Sequence, residues 1–429
     1  MMYIEPYSSK LPSKTGKALS SLTLSTTGFL VLLISLPMGA GAQNTASLIV
    51  LMLWAMPVLN LQSQKIAIGF LDELKFPFGV LIAFLLWCSA ASILTSVESY
   101  SVLKFFLSWL PFAILPWMAF SIAGQVEQKW ISRTLTLVLM VMIIAMVSQR
   151  LDGWALSRGQ IIWDKHRVQI FYSHPMTAAY VVGILLSALI PKFFMMRTFN
   201  LKWATIGCGL LFGVYATESR TVQIGILIIT VLLAWIRGTS RIRKYVALGL
   251  MLLIAAIGLT ENRAKQKFIE TVESTSSRSQ SGEFVDDRLI FWFVHGKMFL
   301  DRPILGFGVE VDQETRVHYY NESGFSELRD KYEAHNQYIQ WAVEAGLLGL
   351  MLGCVWLFSM MRTSWRMSQQ FWEMGSIAMS FLFLTLTMMT QNALNDSEVR
   401  HALLVVVCVA LARVGNKLQS LKVNSGADA

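Results

Sequence analysis

The chain has 429 residues, 54% of them hydrophobic and 15% charged, with a formal net charge of +9. Soluble domains carry about 25% charged residues, so this composition excludes an ordinary soluble globular protein. The positive balance does not call for nucleic acid, because excess Lys and Arg in a membrane protein collects in cytoplasmic loops.

Apolar runs of roughly 20 residues recur along nearly the whole length, and each is long enough to cross a bilayer as a helix. The predicted class is all-α: a polytopic integral membrane protein with about twelve transmembrane helices and one long, partly helical outer loop. In chain order the helices are predicted near 20–40, 45–61, 76–96, 101–123, 130–148, 174–196, 201–217, 221–237, 245–260, 336–361, 373–393 and 399–414. At the N-terminus, Lys10, Lys14 and Lys17 precede an apolar run, and Ala40-Gly41-Ala42 resembles a signal-peptidase site. A second apolar run follows at once, so an uncleaved first helix is the preferred reading. Cys88, Cys208, Cys354 and Cys408 all lie inside apolar runs and read as small apolar residues rather than a disulfide set.

Basic residues set the orientation. Lys65, Lys75, Lys129, Lys192, Arg197, Lys202, Arg237, Arg241, Arg243, Lys244, Arg362 and Arg366 fall at alternate junctions, on the side of both termini. That side is predicted to be cytoplasmic. The opposite face is poor in basic residues except in the 149–173 loop, with Arg150, Arg158, Lys165, His166 and Arg167, and in the long polar segment 261–335. Arg220 joins them in the short turn Thr217-Glu218-Ser219-Arg220. Within the long segment, Phe284 to Leu300 reads as an amphipathic helix, with Arg288, Trp292, His295 and Phe299 on one face. Asp301-Arg302-Pro303 ends it and Gly306-Phe307-Gly308 makes a turn. Residues 310–334 are predicted to include another surface helix. The organisation is therefore 1–260 for helices one to nine, 261–335 for the outer loop, and 336–429 for the last three helices and a cytoplasmic tail.

His335 stands where the long loop meets a helix, and an unperturbed histidine titrates near about 6.5, in the range of a general base. Arg167, Arg220 and Arg288 come from separate outer segments, and an arginine fork can bind two phosphate oxygens at any working pH. Singly, each arginine fits snorkelling to headgroups or pairing with an acid such as Glu218 or Asp287, and His335 alone fits an interface anchor. Together they point to an anion site at the membrane surface. His174-Pro175 reads equally as a helix start and as a functional group. Asp286-Asp287 and Glu310-x-Asp312 are weak metal candidates with no histidine beside them, and no metal or cofactor is predicted. His295 reads as a packing residue. Few ionisable residues are predicted at mid-membrane depth, which disfavours a transporter.

His335-Asn336, nine residues, then Gly346-Leu347-Leu348-Gly349 resembles the pattern H-[NSQ]-x9-G-x-x-[GTY] of the O-antigen ligase family, which recurs more loosely in O-antigen polymerases and protein-glycosylating ligases. Ser219-Arg220 opening a helix, Arg288 followed by Trp292, and Asp301-Arg302-Pro303-Ile304-Leu305-Gly306-Phe307-Gly308 are similar to further family elements. Arg167 with His174-Pro175-Met176 matches a weaker one, with Met176 where Asn is commoner. The resemblance covers roughly 160–350, and the chain length suits a lipopolysaccharide ligase. It implies transfer of O-antigen from undecaprenyl diphosphate to the lipid A-core oligosaccharide, on the periplasmic face of the bacterial inner membrane. It further implies inversion without metal or nucleotide, with His335 as base, Arg167, Arg220 and Arg288 on the diphosphate, and Asn336, Gly346, Gly349 and His174 in support. An O-antigen polymerase using the same donor remains open, as does a lipid-linked sugar transporter or flippase.

Overall fold

The structure is a computed structural model that describes residues 23–59, 67–152, 154–155, 160–161, 167–195, 200–240, 243–244, 246–247, 287–326 and 333–425. Its helices are α1 (Leu24–Ile34), α2 (Ala40–Leu59), α3 (Ala67–Leu94), α4 (Ser99–Ser121), α5 (Gln128–Asp152), α6 (Pro175–Met195), α7 (Leu201–Ala216), α8 (Arg220–Arg237), α9 (Asp287–Asp301), α10 (Gln313–Glu322), α11 (Gln337–Met367), α12 (Trp372–Thr387) and α13 (Ser397–Ser425). Trp154–Ala155 pairs antiparallel with Gln160–Ile161 in a minimal two-stranded ladder.

Among the described residues seven helices are long and apolar enough to cross a membrane: α3, α4, α5, α6, α8, α11 and α13. Four shorter apolar helices, α1, α2, α7 and α12, accompany them. The chain is a polytopic helical membrane protein, and these eleven apolar helices correspond to eleven of the about twelve expected. The predicted ninth helix, 245–260, lies outside the described residues apart from 246–247. The first predicted helix is also shorter than expected. Thr23 caps α1, accepting the Thr26 N–H at 3.2 Å, and α2 already begins at Ala40, so the first turn lies at 35–39 rather than 40–44. The helices predicted within 284–300 and 310–334 are α9 and α10.

The inner layer is α6, α11, α12 and α13. More than three quarters of the apolar windows of α6 and α13 are buried inside the protein, against a third for α5 and α8. Trp356 on α11 is fully buried and packs edge-on against Trp109 and Phe112 of α4 and Phe381 of α12. Leucine and isoleucine on the outer helices, such as Leu86, Leu137 and Ile144, point outward, as a surrounding hydrocarbon phase permits.

The long helix α11 is not continuous. Gly346 leaves helical geometry at φ 65° and ψ −168°. A break there frees carbonyls and an N–H inside the bundle, where each unsatisfied group costs roughly 2–7 kcal/mol. The segment after α9 supplies the missing partners. Phe307 N–H donates to Val343 O, Gly308 N–H to Glu344 O, and Leu347 N–H to Pro303 O, each at 2.8 Å. Trp87 Nε1–H from α3 donates to Ala345 O at 2.8 Å. The Pro303–Gly308 turn is thus docked into the helix break by backbone bonds. Both contacting glycines are forced: Gly306 has φ 70°, and a Cβ on it would press on the Val343 and Glu344 backbone. A Cβ on Gly346 would collide with the Ile304 carbonyl.

Gly346→Ala is therefore expected to disrupt this docking and sharply reduce the yield of folded protein, whereas Gly296→Ala on α9, where a Cβ meets open space, should be tolerated. Size-exclusion profiles of detergent-purified variants would check this, and a normal monodisperse peak for Gly346→Ala would refute the account of the break.

Candidate functional site

The docked turn holds the N-terminal end of α11, and His335 sits immediately before it. His335 has φ 46°, the left-handed region. A residue other than glycine held there costs of order 1–3 kcal/mol unless its surroundings determine the conformation. They do so on both sides. Asn336 caps α11, its side-chain oxygen accepting the N–H groups of Tyr338 at 3.0 Å and Ile339 at 3.3 Å. Gln337 N–H donates to Met388 O at 3.0 Å, which ties the helix start to the end of α12. Gln340 Oε1 accepts from Ala334 N–H at 3.5 Å and from Asn392 Nδ2 at 3.4 Å, and Gln340 Nε2 donates to Glu344 Oε1 at 2.6 Å. Asn392 Nδ2 also reaches Glu333 Oε2 at 3.0 Å.

The imidazole itself is positioned by two contacts. Its Nδ1 is 3.1 Å from Gln391 Oε1, and Phe291 of α9 lies beside it with ring centroids 5.4 Å apart. An amide oxygen only accepts, so Nδ1 carries a proton, and in the neutral ring the Nε2 lone pair is then the acceptor.

The sequence-predicted residues gather around this turn from separate elements. Arg288 is half-buried one helical turn before Phe291 on α9 and lies within electrostatic reach of Tyr180 on α6. Tyr180 in turn donates to Thr387 O at 3.0 Å, near the end of α12. Arg220 is exposed at the start of α8, and the adjacent Thr221 accepts from Thr390 at 2.9 Å, next to Gln391. Arg167 reaches the same corner: its Nε donates to Thr217 O at 3.2 Å, closing the end of α7, and its Nη2 lies 3.3 Å from Met176 Sδ. Glu218 in that turn has φ 54° and pairs with Arg150 at 3.5 Å. His174 starts α6, its Nδ1 accepting the Met176 N–H at 3.1 Å. Burial, followed by the charges of Arg167 and His335, holds His174 below the usual histidine range. Its ring nitrogen thus caps the start of α6. Gly349, by contrast, packs within α11 against Ala345.

On the other side of the Glu333–Asn336 turn is a cavity of about 890 Å³ between α2, α3, α4, α11, α13 and the start of α10. Glu333, Gln340, Trp341, Glu344, Arg316 and Arg400 are among the residues lining it. Arg400 lies 5.2 Å from the Trp109 ring and donates to Asn395 O at 2.9 Å. His335, Arg167, Arg220 and Arg288 do not line this cavity. Glu333, two residues before His335, is the lining residue nearest to it in the chain.

Sequence reasoning missed Gln340, Glu344, Gln391 and Arg400. Glu344 is 8% exposed and lies about 10 Å along α11 from its start, towards the outer end of the helix. A readable signal was present: Gln337, Gln340 and Glu344 form one polar stripe at helical spacing on an apolar helix. Gln391 carries no such signal. The acids considered as metal ligands have other partners: Glu310 pairs with Lys104 at 2.8 Å, and Asp312 caps α10, accepting from Thr315 N–H and Oγ1 at 2.7 Å. Asp286 lies outside the described residues. No group of three or more His, Cys, Asp and Glu suited to a metal ion occurs among the described residues. His295 is buried, with its Nδ1 2.8 Å from Phe291 O, as a packing residue would be.

The family described as O-antigen ligase matches residues 206–354. That segment contains Arg220, Arg288, His335, Asn336, Gly346 and Gly349, but not Arg167 or His174. No curated protein matches the chain.

The segment that orients His335, Gln391 to Arg400, follows the matched residues, and Asp396 anchors it to α6 by accepting from Thr177 Oγ1 at 2.9 Å. Burial pushes the Asp396 carboxyl up to about 6, with Glu398 and Glu333 adding to it and the Thr177 bond and Arg400 opposing. The folded state thus binds the proton more tightly than the unfolded chain, whose carboxyl titrates near about 3.9. Stability falls as pH rises from about 4 through about 6, and the cost is complete above that. Asp396→Asn cannot ionise, so it is expected to raise Tm at pH 7.5 and to match wild type near pH 4. Identical melting curves at pH 7.5 would show that burial of this carboxylate is not a strain on the fold.

Proposed function

We propose that this chain, assigned through residues 206–354 to the O-antigen ligase family, transfers an O-antigen polysaccharide from undecaprenyl diphosphate to a hydroxyl of the lipid A-core oligosaccharide. The observation that carries the reading is the contact of His335 Nδ1 with Gln391 Oε1, which leaves Nε2 to act as the base.

A sugar hydroxyl is a poor nucleophile. His335 Nε2 takes its proton as the oxygen attacks the anomeric carbon, and the bond from that carbon to the diphosphate oxygen breaks. Attack opposite the leaving group inverts the centre. The diphosphate develops negative charge in the transition state, and Arg220 and Arg288 balance it. Arg167 has its Nε on Thr217 O and its Nη2 on Met176 Sδ, so it supports this corner structurally and contributes its positive charge to the anion. The cavity beyond the Glu333–Asn336 turn receives the acceptor glycan, where Trp341, Glu333 and Arg316 offer stacking and hydrogen bonds. Both substrates are lipids, which accounts for a site at the membrane surface walled by helices. The excess of Lys and Arg at the far end of the bundle supports a periplasmic orientation for the site in the inner membrane, with 261–335 as the periplasmic loop.

In cells lacking the chromosomal gene, His335→Ala is expected to leave lipopolysaccharide as bare core with polymer retained on the carrier lipid, while the purified variant still binds donor. Arg220→Ala should lose at least about a hundredfold in turnover, the scale of removing one charge-stabilising donor. Polymer-bearing lipopolysaccharide from His335→Ala would overturn the mechanism, and core bearing a single repeat unit would instead identify a polymerase.

Gln391→Leu removes the partner of Nδ1 and is expected to lower kcat by roughly tenfold or more with donor KM little changed. Gln391→Glu keeps the hydrogen bond and places a carboxylate beside the ring, which favours imidazolium and should move the pH–rate profile upward. A profile unmoved in that variant would remove Gln391 from the orientation of the base.

A further inference from the structure

At the end of the bundle opposite His335, a narrow cleft opens between α5, α6, α7, α12 and α13 and encloses about 80 Å³. Its walls are aliphatic: Leu139, Leu185, Leu189, Leu210 and Val406 are each at most 8% exposed. Its rim is cationic and aromatic. Lys192 Nζ stands 3.7 Å from the Trp203 ring centroid and 5.4 Å from that of Trp372. Arg413 lines the same rim and reaches Ser132 Oγ at 3.3 Å. Lys192 lies within electrostatic reach of both Arg413 and Lys202.

The cleft is lined by one acid, Glu373, which is nearly fully buried, held by Lys417 at 2.6 Å and within electrostatic reach of Lys192 and Arg413. One carboxylate facing three cations leaves a surplus of positive charge over an apolar slot. Like charges in a low-dielectric crevice repel strongly, and a bound anion relieves that cost. A free anion would satisfy the rim but leave the aliphatic slot empty. A zwitterionic lipid would fill the slot but bring its own cation to the rim. Two tryptophans mark the headgroup level, where such residues concentrate, and basic pockets between helices on this side are suited to anionic headgroups.

We propose that this cleft is a binding site for an anionic phospholipid, with one acyl chain along Leu139, Leu185 and Val406 and the headgroup phosphate between Lys192 and Arg413. The lipid belongs to the leaflet opposite the one at His335, so the site is independent of the transfer reaction and does not rest on it.

Native mass spectrometry of the full-length protein, released from detergent after exposure to phosphatidylglycerol or phosphatidylcholine, tests the proposal. Wild type is expected to retain phosphatidylglycerol and to shed phosphatidylcholine. The double variant Lys192→Gln/Arg413→Gln should lose retention roughly thirtyfold, each charge near a membrane surface being worth about fivefold. Leu135→Phe, which narrows the cleft from the half-buried side of α5 without changing charge, should lose retention as well and decides the matter if the double variant does not fold. Equal retention of the two lipids by wild type, or undiminished phosphatidylglycerol on either variant, overturns the proposal. A rise in Tm with inorganic phosphate equal to that with phosphatidylglycerol also overturns it, in favour of a simple anion site.

Discussion

The arrangement at the outer end depends on a broken helix repaired by backbone hydrogen bonds from elsewhere in the chain. α11 stops being helical at Gly346, and Pro303, Phe307, Gly308 and Trp87 take up the groups that the break exposes. Inside a membrane protein such a break is tolerable only where protein groups substitute for the lost helix bonds. The repair therefore welds the segment following α9 to the core helix. α9 carries Arg288 and Phe291, and Phe291 packs on His335. One set of backbone bonds thus fixes His335 and one arginine-bearing helix relative to each other.

The break also explains the cost accepted at His335. A left-handed histidine is unfavourable in isolation, but Asn336, Gln337 and Gln340 hold the chain on either side of it. Gln340 is itself held by Glu344, two residues before the break and within the repaired turn of α11. The polar stripe of α11 acts as a strut running from the docked turn to His335. A carboxylate buried this way is expensive unless hydrogen-bonded, which suits a part whose task is geometry.

The pattern from His335 to Gly349 was legible because its residue types and spacing are unusual, and the helices were legible because length and hydropathy decide membrane spans almost alone. The role of the glycines was less so. Gly346 sits in an apolar run that reads as one continuous helix, and only the positive φ and the carbonyls pressed against it reveal a break. The Pro303–Gly308 turn was readable as a turn, but its docking target lies about forty residues on in the chain, and long-range backbone pairing leaves no local signature. Gln391 and Asn392 were invisible for a different reason: amides between two helices are ordinary loop residues until a histidine is found across from them. The arginines were noticed because they break a charge rule, which is a global property that needs no structure.

The two ends of the bundle solve opposite electrostatic problems with similar residues. At the outer end, Arg220 and Arg288 are carried by different helices near the turn that holds His335, and Arg220 is exposed. At the other end, Lys192 and Arg413 rim a slot that water has little reason to enter, and their tryptophan neighbours belong to a lipid interface. The first arrangement suits a charge that develops and departs during a reaction, because access to solvent lets the product leave. The second suits a charge that stays, because an acyl chain in an aliphatic slot keeps it there. In the two proposals the same positive charge serves turnover at one end and residence at the other, and the surrounding polarity makes the difference.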